Sequence, residues 1–285
     1  MIAITGSTGQ LGQLAIHHLL KTTDPSSIVA LARSPEKANH LKEKGVTVRE
    51  ADYEKPATLQ AALKDVKKVL FISGSEIGKR AAQHQAVVDA AKQAQVELLV
   101  YTSVLKASDS PLSLAEEHRV TEAAIKAAKL PAVILRNGWY TENYTQSVGS
   151  ILQAGVMAGA AKEGKFHAAP RKDYAEATAN VLLAPGDFIG KEIDLCGDQG
   201  FTLQEFASTL SELSGKSIPY QNMAGDDYKK LLMQVGLPEP FAALFADSEL
   251  AAAEGWLASK ERHLSQLLKR PTTPLKESMQ EALNQ

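Results

Sequence analysis

The chain opens with a short apolar run, a turn containing three evenly spaced glycines, and a segment of helical periodicity. Ile2–Ile4 is typical of a buried strand, Thr5–Gly12 carries the glycines, and Leu11, Leu14 and Leu19 follow at helical spacing. Such a turn uses glycine for positive φ and for close approach of a phosphate. Because the next helix begins there, its N–H groups and dipole favour an anion. We therefore interpret this opening as a nucleotide-phosphate site rather than a plain glycine-rich turn.

Strand-like and helix-like segments alternate through most of the first 200 residues. The strand candidates are nearly continuous apolar runs, as expected for strands covered on both faces. They are Ile2–Ile4, Ile28–Ala32, Val46–Arg49, Val69–Ser73, Leu98–Ser103, Ala132–Arg136 and Glu192–Cys196. This alternation predicts a Rossmann-type, doubly wound parallel sheet with helices on both sides. Ligands of such sheets bind at the carboxyl ends of the strands.

The pattern changes after residue 197. Thr202-x-x-Glu205 has the spacing of a capping box, and several short helical segments follow, separated by prolines. We expect a nucleotide-binding domain over residues 1–197 and a small, mostly helical lobe over 198–285, with the chain free to return to the sheet.

Composition narrows the functional class. The chain has 285 residues and a formal net charge of −2, which gives no electrostatic footprint for nucleic acid. Cys196 is the only cysteine, so neither an intramolecular disulfide nor a cysteine metal cluster can form. The first basic side chain is Lys21 and no apolar run approaches the length of a bilayer span. We expect a cytoplasmic protein without membrane insertion, nucleic-acid partner or metal.

Arg33 ends the second predicted strand. Sites selective for NAD usually place an acidic residue here, on the ribose hydroxyls. A guanidinium can instead fork onto a 2′-phosphate, so Arg33 indicates NADP. The alternative is a surface arginine, and the nearby Glu36 weighs toward it.

Other strand ends carry weaker signals. Asp52 follows the third strand and either lies beside an adenine or caps the next helix. Ser73–Ser75 follows the fourth strand, where small residues let a backbone pass beneath a ribose or simply form a turn. Arg136–Tyr144 follows the sixth strand, and its Trp139 and Tyr140 border a flat substrate, anchor the loop in the core, or do both.

The usual catalytic signature of short-chain dehydrogenases is missing. No tyrosine in the chain is followed four residues later by lysine, so the tyrosine acid that protonates an alkoxide is absent. Ser103 stands near the place of the usual serine without its partners. His118 is either a substitute acid or a solvated first-turn residue beside Glu116 and Glu117, and we favour the second interpretation.

Together these residues resemble the NmrA-like group of atypical short-chain dehydrogenases across essentially the whole chain. The matching segments are Thr5–Gly12, Arg33, Asp52, Ser73–Ser75, Leu135–Tyr140, Asp173–Ala177 and Arg270–Pro274. The resemblance implies bound NADPH and a quinone over its nicotinamide. The cofactor-binding residues that it implies are Gly6, Ser7, Thr8, Gly9, Gln10, Leu11, Arg33, Ser73, Gly74, Ser75, Asn137, Gly138, Trp139, Tyr140, Thr141, Glu142 and Arg171.

Two functions follow from this resemblance. The first is an NADPH-dependent quinone reductase that transfers hydride without flavin. The second is a redox sensor that binds NADP(H) and turns little over, because the family contains both. A sugar-nucleotide epimerase is disfavoured since Tyr-x-x-x-Lys is absent. The physiological quinone and the oligomeric state stay open.

Overall fold

A computed structural model describes residues 1–284 and places them in two compact units. The first unit comprises Met1–Ala107, Glu116–Asn137 and Arg171–Asp194. The second comprises Ser108–Ala115, Gly138–Pro170 and the chain from Leu195 onward. Each unit consists of three separate segments of the chain, whereas the predicted domains are two continuous segments that meet at residue 197. A functional boundary at that residue stays a prediction.

The strands and helices have the following bounds. The strands are β1 (Ile2–Ile4), β2 (Ile28–Ala32), β3 (Thr47–Glu50), β4 (Lys68–Phe71), β5 (Leu98–Val104), β6 (Ala132–Asn137), β7 (Met157–Gly159), β8 (Glu192–Leu195) and β9 (Tyr220–Asn222). The helices are α1 (Gln10–Leu19), α2 (Asn39–Lys42), α3 (Pro56–Ala62), α4 (Arg80–Gln93), α5 (Ser113–Ala128), α6 (Glu142–Thr145), α7 (Val148–Ala154), α8 (Arg171–Leu183), α9 (Leu203–Ser214), α10 (Gly225–Gln234), α11 (Glu239–Ala253), α12 (His263–Leu268) and α13 (Leu275–Leu283). Short 3₁₀ turns lie at Pro25–Ser27, Pro35–Ala38 and Gly186–Phe188.

The main sheet has the order β3-β2-β1-β4-β5-β6-β8, and the pairs from β3 to β6 are parallel. The prediction of a Rossmann-type α/β fold is confirmed. At β1 the strand order reverses, because Ile4 pairs with Ala30 of β2 on one side and Leu70 of β4 on the other. A reversal of this kind opens a crevice at the carboxyl ends of the strands.

Strand burial explains why the sheet was visible in the sequence. Every residue of β2 and β5 is buried, so no polar face interrupts their apolar runs. Phe71 and Tyr101 are completely buried and pack with their rings tilted by 41° and ring centroids 5.0 Å apart. Leu59 of α3 and Val87 of α4 belong to the same buried core, which ties these helices to the sheet.

The second unit is mostly helical but also contains a two-stranded parallel sheet of β7 and β9. These strands were not predicted, because each has only three residues and β9 is polar and largely exposed. The capping box is confirmed: the Glu205 N–H donates to Thr202 Oγ1 (3.1 Å), and the Thr202 N–H donates to Glu205 Oε2 (2.7 Å). It starts α9, whose Phe206 is fully buried.

A fully buried carboxyl group lies within this second unit. Glu249 of α11 accepts hydrogen bonds from the Ala160 N–H and from the hydroxyl of Tyr144, the latter over 3.2 Å. Tyr228 hydrogen-bonds the same carboxyl group and Tyr220 lies near it. Burial raises the pKa of Glu249 to about 7, although these hydrogen bonds oppose the shift.

None of the helices in residues 1–284 is long and apolar enough to cross a membrane. The same residues contain no group of three or more His, Cys, Asp or Glu side chains that could hold a metal ion.

Candidate functional site

A cavity of about 340 Å³ opens in the first unit where strands β1 to β4 end. Its volume lies in the range of small-molecule sites. Seven of the predicted cofactor residues line it: Gly6, Thr8, Gly9, Arg33, Ser73, Gly74 and Ser75. Asp52, Tyr53, Lys37, Glu76 and Gln83 also line it. The parallel strands bring these residues together from four separate segments of the chain.

The glycine turn forms the floor of this cavity by close backbone packing. Gly6 has a φ of 57°, in the left-handed region. A Cβ on Gly12 would collide with the Gly6 carbonyl group and lie 2.9 Å from Ser7 Cα. The Ser7 hydroxyl donates to the Leu31 carbonyl (2.8 Å) and so ties the turn to β2. Helix α1 starts after Gly9, where no side chain caps its first N–H groups. The turn therefore fits an anionic group held by backbone.

Arg33 is exposed at the end of β2 and forms an ion pair with Glu76 (2.8 Å). Glu36, the acidic residue that raised doubt about NADP, lies outside the lining of the cavity, whereas Lys37 lies within it. Sequence analysis did not identify Lys37 and Glu76 as cavity residues. Lys37 lies only four residues after Arg33, and this closeness in the chain could have indicated it. Glu76 lies 43 residues from Arg33, so nothing in the sequence connected the two.

Asp52 follows β3 and Ser73 follows β4, on either side of β2 and β1 in the sheet. The Asp52 carboxylate accepts from the Glu54 N–H (3.0 Å) and pairs with Lys55 (3.5 Å), so it caps the turn before α3 while also lining the cavity. The Ser73 N–H donates to Thr102 Oγ1 (3.1 Å). Asp52 does not cap α3 itself, whose first residue is preceded by Lys55 without a side-chain cap, and a place for Asp52 beside an adenine stays a prediction.

The remaining predicted residues of the first unit do not line the cavity. Ser7, Leu11 and Asn137 are buried, and Gln10 is exposed in the first turn of α1. Arg171 begins α8, which also contains the family-matching segment Asp173–Ala177.

Gly138–Glu142 belong to the second unit. Trp139 is buried and packs edge to face on Phe245, with ring centroids 6.3 Å apart, so it anchors this loop. The Thr141 N–H donates to the Ala169 carbonyl (3.1 Å), and the Ala169 N–H donates to the Trp139 carbonyl (3.2 Å). Tyr140 is half-buried, Thr141 is buried and Glu142 begins α6. Their role toward a cofactor stays a prediction.

His118 is not a solvated first-turn residue. It lies in the second turn of α5, is 4% exposed, and its Nδ1 is 2.8 Å from the Tyr101 hydroxyl. Burial, together with the charge of Arg80, lowers the pKa of His118 to about 3. The imidazole is therefore neutral at physiological pH. The interpretation as solvated fails because α5 turns this face toward β5.

The Ser103 hydroxyl is hydrogen-bonded to the buried ion pair of Glu122 and Arg136. Its hydroxyl donates to Glu122 Oε1 (2.6 Å), and Arg136 donates to the same carboxylate from Nε (2.9 Å) and from its terminal nitrogen (2.6 Å). This arrangement satisfies the buried carboxylate. It agrees with the expectation that Ser103 lacks its usual catalytic partners.

The fold and the glycine turn define a dinucleotide-type α/β protein, and the family comparison agrees with the resemblance: the NmrA-like family matches residues 1–274, so the chain belongs to it. Within this family the sequence favours the bacterial type 2 quinone oxidoreductases. Quinone oxidoreductase 2 of Escherichia coli is 46% identical over 284 residues, covering 100% of this chain and 99% of that protein.

Solved structures give the same picture. The NADPH-dependent quinone oxidoreductase of E. coli, crystallised with NADPH, superimposes with a TM-score of 0.97 at 46% identity, with both chains covered completely. The triphenylmethane reductase of a Citrobacter species, crystallised with NADP(H), gives 0.95 at 38% identity, covering 99% of this chain and 100% of that one.

Proposed function

We propose that this protein is an NADPH-dependent quinone reductase that transfers hydride to a quinone without flavin. The observation that carries the proposal is the first-unit cavity, where a tight glycine turn and Arg33 line the same space. The turn suits a pyrophosphate and the guanidinium suits a 2′-phosphate. NADPH, when bound, supplies the hydride. The proposed partner is a small-molecule quinone in the cytoplasm.

Each predicted binding residue has a proposed role. Gly6–Leu11 hold the pyrophosphate, Arg33 holds the 2′-phosphate, and Ser73–Ser75 support the ribose. Asn137–Glu142 and Arg171 serve the nicotinamide end and its phosphate. Tyr140 is half-buried and offers aromatic surface on which a quinone can stack, while the buried Trp139 anchors the loop that carries it.

The protonation chemistry favours a quinone over a ketone. A ketone gains a localised alkoxide charge, for which a positioned acid contributes about 10²–10⁴-fold in rate. The tyrosine acid is absent from the sequence, Ser103 is committed to Glu122, and His118 is buried and neutral. A quinone spreads the added charge over an aromatic ring, so water suffices as the proton source. Quinones and triphenylmethane dyes, the compounds that the relatives' names and descriptions mention, are both conjugated acceptors.

Steady-state oxidation of NADPH tests this function, with benzoquinones, naphthoquinones, a triphenylmethane dye and matched aliphatic ketones as acceptors. We expect turnover of the quinones and little turnover of the ketones. Comparable ketone turnover would reveal an acid. NADPH binding without turnover of any acceptor would favour the redox sensor.

A further inference from the structure

We propose that His84 and Arg80 are positioning residues that hold the Gly74 peptide in the wall of the cavity. The inference rests on the proposed function, because the cavity is taken as the NADPH site. Neither residue lines the cavity, and both act through the backbone of a residue that does.

Side chains from α4 hold both polar groups of the Gly74 residue. The Gly74 N–H donates to His84 Nε2 (2.9 Å), and Arg80 Nε donates to the Gly74 carbonyl oxygen (2.6 Å). His84 is 1% exposed and Arg80 is 7% exposed. Ser73, Ser75 and Glu76, which flank Gly74, line the cavity. A displacement of the Gly74 peptide would therefore move three lining residues.

The hydrogen-bond chain fixes the tautomer of His84. The Thr121 hydroxyl donates to the Glu117 carbonyl oxygen (2.9 Å), so its oxygen is left to accept from His84 Nδ1, which lies 2.7 Å away. Nδ1 then carries the proton and Nε2 is the acceptor that the Gly74 N–H requires. Burial and the nearby Arg80 charge lower the pKa of His84 to about 3, which keeps this ring neutral.

Glu117 of α5 completes the cluster. Its Oε1 accepts from the N–H groups of Gly78 (3.1 Å) and Arg80 (3.2 Å), and its Oε2 pairs with the Arg80 guanidinium (3.3 Å). The segment from Gly74 to Arg80 is thus fixed at both ends. A histidine that only filled space in the core would not need its Nε2 acceptor directed at the Gly74 N–H.

Calorimetric titration of NADPH into His84→Leu and His84→Gln tests the assignment. Leucine leaves the Gly74 N–H without its acceptor, and we expect NADPH affinity to fall by about tenfold. Glutamine offers an oxygen near the position of Nε2 and should restore affinity to within about threefold. The KM for NADPH should rise with the dissociation constant, while kcat and the KM for quinone stay near wild type.

The matched control is His118→Leu, which removes an imidazole that is equally buried but does not contact Gly74. Amide hydrogen exchange over residues 72–79 should accelerate in His84→Leu and not in His118→Leu. Equal losses of NADPH affinity in both leucine variants, or wild-type affinity in His84→Leu, would overturn the proposal.

Two further results keep the outcomes separate. If His84→Leu does not fold, Thr121→Val replaces it, because valine cannot accept a hydrogen bond from His84 Nδ1. We expect this variant also to bind NADPH more weakly. Unchanged affinity in a folded Thr121→Val would then overturn the proposal. If wild-type protein binds no NADPH, the proposed function fails, which is a different result from a wild-type protein that binds and a His84→Leu variant that binds equally well.

Discussion

The Arg33 guanidinium and the Glu76 carboxylate meet at 2.8 Å on the rim of the cavity. Glu76 also pairs with Lys79 (3.2 Å), and the hydrogen bonds from Lys79 and Arg33 lower its pKa. The ionised Glu76 carboxylate is therefore bound to the Arg33 guanidinium, the group that we propose for the 2′-phosphate. In the proposed complex, Glu76 and that phosphate would compete for the Arg33 guanidinium.

Replacing Glu76 by glutamine removes this competitor. We expect NADPH affinity to rise by about two- to fivefold, the scale of an exposed ion pair, with NADH affinity unchanged. Calorimetric titration of both cofactors measures the effect. A parallel gain for NADH would show that Glu76 acts on some other part of the nucleotide.

Replacing Arg33 by alanine tests the cofactor preference itself. NADPH binding should weaken by about 1.5–3 kcal/mol, as for a hydrogen bond to a charged group, while NADH binding stays nearly constant. NADH is the internal control because it lacks the 2′-phosphate. Equal losses for the two cofactors would contradict the assignment.

In the glycine turn, we expect Gly12 to be needed for folding and Gly9 to be needed for NADPH binding. Gly12→Ala places a methyl group against the Gly6 carbonyl and Ser7 Cα, so we expect the free energy of unfolding to fall by about 1–3 kcal/mol. A Cβ at Gly9 would lie 3.3 Å from the Gly6 oxygen, a tight contact that a shift of a few tenths of an ångström relieves, whereas the contacts at Gly12 are much shorter. Gly9→Val should therefore keep its fold and lose NADPH. Denaturant melts and titrations of both variants decide, and wild-type NADPH affinity in Gly9→Val would refute a phosphate site there.

Glu249 makes stability depend on pH. Its pKa is about 7 in the folded protein against an ordinary value of 4.5, so the unfolded chain releases this proton first as pH rises. The stability contribution is complete below pH 4.5 and is lost between pH 4.5 and 7, at roughly 1.4 kcal/mol per unit. Glu249→Gln should flatten that decline, whereas Glu254→Gln, at an exposed position on the end of the same helix, should not. An identical slope in wild type and Glu249→Gln would refute this linkage.

The sheet was predictable because most of its strands contain a run of buried apolar residues. Ile2–Ile4 and Ile28–Ala32 were bounded correctly, and the other predicted strands of the main sheet lie within two residues of their observed ends. Strands β7 and β9 are as short as β1, but their sequences, Met-Ala-Gly and Tyr-Gln-Asn, lack the strongly apolar run that marks β1 as a strand. The interleaving of the two units also left no local signal, because it depends on long-range contacts.

The lining of the cavity was predictable where its residues lie close together in the sequence. The glycine turn, Arg33 and Ser73–Ser75 stand directly after strands, and the parallel sheet gathers strand ends. The pairing of Arg33 with Glu76 joins two segments outside helices and strands that are 43 residues apart in the chain, so it left no local signal. The burial of His118 depends on which face of α5 meets the sheet, and the placement of Arg80 and His84 depends on which face of α4 is packed. Helix α4 is rich in alanine and shows little amphipathic pattern, so the sequence does not reveal its packed face.

Every residue that lines the cavity lies between Gly6 and Gln83, whereas Glu117 and Thr121, which support its wall, come more than 30 residues later. During synthesis the ribosome therefore releases the complete lining before its supports. A nascent chain halted near residue 100 has every lining residue but lacks the partners that orient Arg80 and His84. We therefore expect the nascent chain to bind nucleotide only after α5 has emerged from the ribosome. From that stage of synthesis onward, bound nucleotide can stabilise the folded part of the chain.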